Sequence, residues 1–201
     1  MNDAKIQLSP EESGLLMNSR WILTKNEVIR KLGDFLGELS EHFHSSVQGK
    51  NFPPELLVQH PKISKGENFR GLPYIVLDYP RYFSKEHLFA IRTMAWWGKY
   101  FSITLHLKGI YLQRYKDLLN LNETALTHAG YYCNMDKEEW KHDITGPHFY
   151  RLQNENGFIA GTRPGELPVC KIATWYPVDS WMEAGTRLAQ SFEFLVNMLA
   201  G

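Results

Sequence analysis

Apolar and polar residues alternate strictly along the chain from Phe101 to Lys108. Phe101, Ile103, Leu105 and Leu107 fall on one side, and Ser102, Thr104, His106 and Lys108 on the other. Side chains leave a strand to opposite faces in turn, so this pattern predicts a half-buried antiparallel strand with its polar side in water. The run Leu88–Ala95 precedes it, and Trp96, Trp97, Gly98 and Lys99 supply the reversal between the two. Adjacent Trp96 and Trp97 face opposite ways. One is therefore expected in the core, with the other either exposed or folded back on the sheet.

The spacing changes to threes and fours at Val28, Leu32, Phe35, Leu39 and Phe43, with Ile29 and Leu36 widening the stripe. This predicts an amphipathic helix. Thr24 and Glu27 form a capping box that would open it, and Ser9-Pro10-Glu11-Glu12 would open an earlier helix running to about Leu23. Gly33 and Gly37 lie along one edge, each costing about 1 kcal/mol against alanine, which implies a close neighbour there. Near the other end of the chain, Ser180-Trp181-Met182-Glu183 reads as a second capping box. Trp181, Gly185, Leu188, Phe192, Leu195 and Leu199 then recur at helical steps. Met182, Ala189 and Val196 broaden that face to the width of a helix lying on a sheet.

Between these helices, Tyr74–Leu77 reads as a strand ended by Tyr79-Pro80, and Val169–Tyr176 as the last strand. Prolines and glycines break up Gln48–Gly71, predicting a loop with one helical turn at Glu55–Gln59. Ile110–Leu119 suggests a short helix, Tyr131–Asn134 a strand and Glu138–His142 a helical turn. Phe149–Gln153 and Phe158–Ala160 suggest a second hairpin turning at residues 154–157. Helices first, strands grouped in the middle and a helix last argue for an α+β fold. The expected architecture is a mainly antiparallel sheet with two long amphipathic helices packed on one face. It forms a single domain over 1–201, with a helical part at 9–47, a sheet region at 72–176 and the last helix at 180–199.

Composition narrows the function classes. The chain has 201 residues, 43% hydrophobic and 13% aromatic, enough for a large core. Its 22 basic and 22 acidic side chains cancel, which argues against nucleic acid as a partner. Met1–Leu8 shows no leader pattern, and no apolar run approaches the roughly 18–20 residues that span a bilayer, so no membrane partner is expected. Two cysteines, Cys133 and Cys170, are too few for a disulfide framework; they could pair if the fold brings them together, but reduced thiols and a cytoplasmic location are the expectation. An unprotected edge strand would favour a homodimer.

Candidate chemistry is sparse. The segment Lys62–Phe83 interleaves basic and aromatic residues, a pattern that holds anions and planar groups but also describes a surface loop leading into a core strand. Arg70, Tyr79, Arg81 and Trp97 flank one expected strand pair and are the candidate ligand-binding set, expected to converge at one end of the sheet. Glu138 and His142 have metal-ligand spacing, yet no HExxH or paired CxxC accompanies them, so an ion-paired turn is expected and no metal. His42 and His44 suit the negative end of a helix, and His106 reads as solvated. Residues 161–165 lack the ending of a phosphate loop, and no cofactor motif or nucleophile elbow occurs, so no catalytic residue is identified. The expected function is a binding or interaction domain for an acidic or planar small ligand or a protein partner. The alternative is a small hydrolase or transferase with a cleft of Arg70, Arg81, Arg92 and His106. A pocket holding histidine against a carboxylate would favour the enzyme, and a flat aromatic patch the interaction module.

Overall fold

Seven strands form one antiparallel sheet in the computed structural model, which describes residues 6–153, 157–158 and 161–200. They are β1 (Lys62–Phe69), β2 (Leu72–Phe83), β3 (Leu88–Trp96), β4 (Tyr100–Lys108), β5 (Tyr132–Asn134), β6 (Phe149–Arg151) and β7 (Val169–Pro177). Their order across the sheet is β1-β2-β3-β4-β7-β5-β6. The helices are α1 (Pro10–Met17), α2 (Ser19–Ser46), α3 (Pro54–Leu57), α4 (Ile110–Leu121), α5 (Glu123–His128) and α6 (Trp181–Ala200). The fold is α+β as expected. Among the described residues no helix is long and apolar enough to cross a membrane.

The two long helices bury their stripes on one face of the sheet. Leu36 and Phe43 of α2 and Leu188, Phe192 and Leu195 of α6 join Leu77, Ile91, Ile103 and Leu105 in the main core. The rings of Phe43 and Phe192 stack at 3.8 Å where the helices meet. Gly33 and Gly37 have open space around them; the close approach is instead at Gly185, where a Cβ would meet Phe35 at 3.3 Å.

Local boundaries differ from the sequence reading in informative ways. The first helix ends at Met17, because the Asn18 side chain accepts from the Trp21 amide and caps a new helix there. The Thr24 hydroxyl donates back to the Arg20 carbonyl inside α2 and caps nothing. Ser180 likewise donates to the Pro177 carbonyl. β1 occupies part of the expected loop: its residues are largely exposed, so its sequence carries no alternation to read. Glu138–His142 is irregular rather than helical. Part of the proposed 149–160 hairpin lies outside the described residues, and β6 pairs with β5. Most importantly, β4 is buried on both faces. His106, expected in water, is 1% exposed.

Candidate functional site

Residues directly opposite in an antiparallel pair share a face, so the register shows what accompanies His106. Asp78 pairs with Arg92, Arg92 with Thr104, and His106 with both Ala90 and Lys171. All stand on the face away from α2 and α6. Toward the β3–β4 turn this face is apolar, with Val76, Met94, Trp96 and Tyr100 covered by Ile144 and Phe149. Toward the other end it is polar. The segment 135–148, between β5 and β6, closes over both halves.

That segment is tied down by specific bonds. Lys171, wholly buried, donates through Nζ to the Glu138 and Lys141 carbonyls at 2.6 and 2.7 Å. The Ile144 amide donates to the Tyr100 hydroxyl at 2.8 Å, and Arg70 forms an ion pair with Asp143. Burial pushes the Lys171 ammonium down to about 8, although Asp136 pulls the other way.

Arg92 organises the polar half. Its Nε and Nη2 donate to the Asp78 carboxylate at 2.7 and 2.9 Å, and its Nη1 donates to His142 Nε2 at 3.1 Å. A guanidinium can only donate, so His142 Nε2 accepts and the proton of the neutral ring sits on Nδ1. That Nδ1–H is buried with no acceptor among the described residues, and His106 Nε2 is likewise buried without a partner. The two imidazoles meet edge to face at 5.6 Å. Trp140 covers them, its ring 5.8 Å from His106 and 5.7 Å from the Arg92 guanidinium. Trp140 is itself 55% exposed and lies beside Phe83, the rings 6.4 Å apart and inclined by 29°.

Electrostatics keep both imidazoles uncharged. Burial pushes His106 well below its usual value, assisted by the positive charges of Lys171, Arg92 and Lys108. Burial does the same to His142, followed by Arg92. The site thus offers a buried neutral donor in a positive potential, under an exposed aromatic plate.

The structure does not bring the four sequence-selected residues together. Arg70 and Arg81 lie on the site's face: Arg70 holds Asp143, and Arg81 donates to the His60 carbonyl at 3.0 Å. Tyr79 is buried in the helical core, its hydroxyl 3.0 Å from His44 Nδ1. Trp97 packs at the edge of that core and lines an apolar pocket of about 220 Å³ with Val28, Phe101 and Trp181. A register shift between Asp78 and Arg81 separates Tyr79 from Arg81, which simple alternation would place on one face. Of the enzyme set, Arg92 and His106 meet in the cluster, and Arg70 and Arg81 sit further out.

Sequence reasoning missed Asp78, Trp140 and Lys171 and gave His142 no role here. The available signal was a charge inside each of two apolar strand runs, Asp78 in Tyr74–Tyr79 and Lys171 in Val169–Tyr176. Among the described residues, no three His, Cys, Asp or Glu side chains are grouped to share a metal ion. No protein-family model, curated protein or solved structure matches the chain.

Proposed function

We propose that this chain is a binding domain for a small acidic molecule with a planar body, held where Trp140 covers Arg92, His106 and His142. The observation that carries the reading is the buried His142 Nδ1–H without an acceptor. Leaving such a donor unmatched costs roughly 1–3 kcal/mol, and an anionic oxygen is the acceptor that a positive potential selects. Arg92 bonds the other ring nitrogen, Nε2, so it fixes the proton on Nδ1 and adds its positive charge to the site, while the Nδ1–H, directed away from it, is left for the oxyanion. The exposed plane of Trp140, with Phe83 beside it, supplies a stacking surface for the ligand's body.

Calorimetric titration with a panel of aromatic carboxylates and nucleoside monophosphates tests this. At least one should bind and raise the melting temperature. Trp140→Ala should weaken that binding about tenfold or more while keeping the circular dichroism spectrum of the wild type, since Trp140 is 55% exposed and belongs to neither core cluster. Absence of binding by every anion at millimolar concentration, or binding indifferent to Trp140→Ala, refutes the proposal. A second reading, a small hydrolase or transferase, draws on His106, a neutral imidazole with an unpartnered Nε2. Turnover of activated esters that His106→Phe abolishes would favour it over simple binding.

A further inference from the structure

The stripe that α2 buries against the sheet does not stop where the sheet stops. Leu32, Leu36, Leu39 and Phe43 are buried, and helical steps of four and seven extend the same line back to Val28 and Trp21. Over Ser19–Lys31, about 20 Å of helix, no residue is buried, and none is buried in α1. Within this overhang Lys25 forms an ion pair with Glu67 of β1 at 2.7 Å. At its base lies the apolar pocket of about 220 Å³ lined by Val28, Trp97 and Trp181.

We propose that this end of the molecule is a homodimer interface, in which two α2 overhangs lie antiparallel and Trp21 of each protomer fills the pocket of its partner. Trp21 and Val28 are seven residues, about 10 Å, apart along the helix. A two-fold axis midway between them sets each Trp21 opposite the partner's Val28, at the pocket mouth. Lys25, close to that axis, is neutralised by Glu67 of its own chain.

Three observations favour a second copy over another occupant. The apolar helix that fits the pocket belongs to this chain, so one patch is complementary to itself, as a two-fold interface requires. Leu16, Met17, Trp21, Ile22, Val28 and Trp181 are between 38 and 78% exposed. Together they leave on the order of 600 Å² of apolar surface, which covers the apolar share of a standard interface of about 800 Å² per partner. The formal net charge is +0, so copies meet without long-range repulsion. The β1 edge is a poorer meeting place: it carries Lys62, Lys65 and Glu67, and its pairing is irregular between Gly66 and Phe69.

Sedimentation equilibrium of the full chain from about 1 to 100 µM, a range that brackets ordinary dimer affinities, tests the proposal. The mass should rise from 23.4 kDa toward twice that value. Trp21→Glu should stay monomeric throughout with an unchanged circular dichroism spectrum, since Trp21 is outside the core of its own chain. Leu23→Glu, on the opposite side of α2, should still dimerise. A wild type that is monomeric at the highest concentration overturns the proposal. A dimer that survives Trp21→Glu overturns it in favour of another face.

Discussion

Lowering the pH from 7 to 5 offers protons to two imidazoles that the folded chain holds neutral. His106 and His142 are both pushed well below the 6.5 of an unfolded histidine, by burial first and then by positive neighbours that include Arg92 and Lys171. Below pH 6.5 the unfolded chain therefore binds more protons than the folded one, and stability falls as pH falls. Each excess proton contributes about 1.4 kcal/mol per pH unit, so the pair removes up to roughly 4 kcal/mol between pH 7 and 5, the full amount if both rings stay neutral throughout. That is a large share of the 5–15 kcal/mol typical of a domain. Urea denaturation at half-unit pH intervals reads it directly. His106→Phe keeps a flat ring against Trp140, and His142→Gln keeps an acceptor for Arg92; each should halve the excess pH slope, and the double variant should remove it. Effects of other titrating groups are common to all four proteins and cancel in the comparison. A double variant with the slope of the wild type refutes the argument, as does a native-state NMR titration with either ring protonating near pH 6.5.

Lys171 gives the complementary alkaline signature. Its folded value of about 8 lies below the ordinary 10.5, so the folded state loses that proton first and this group alone adds about 2 kcal/mol of stability between pH 8 and 10, against the loss that the buried tyrosines impose as their phenols ionise in the unfolded chain. Lys171→Met should remove that contribution and leave the tyrosines' untouched, and wild-type and variant urea midpoints that run parallel over this window would contradict it. Leu195→Ala, deep between α6 and the sheet, should cost roughly 2–5 kcal/mol in urea unfolding. An unaltered midpoint would mean that α6 does not hold the sheet as described.

Periodicity determined much of this fold without help from distant residues. The stripe Leu32–Phe43, the alternation Phe101–Lys108 and the stripe Leu188–Leu199 each specify one element and its buried side, because a helix or strand presents its faces at a fixed spacing. The break at Asn18 was not legible: the Thr24–Glu27 spacing suits a cap, yet the Asn18 side chain caps the helix and Thr24 lies inside it. β1 was invisible because an exposed edge strand needs no apolar pattern; β2 supplies its hydrogen bonds.

The site belongs to the tertiary structure. The alternation of β4 marked His106 as polar-side, but polarity alone does not reveal what lies above it. The cover comes from residues 135–148, so that Arg92 meets His142, Arg70 meets Asp143 and Lys171 meets Glu138 across long stretches of chain. Register decided the rest: one shift between Asp78 and Arg81 sent Tyr79 into the core and turned Arg81 to the opposite face. Local spacing states which way a side chain points from its own strand. Which groups it then meets, how far water is excluded and where a proton can reside are set only when separate strands and their covering segment assemble around it.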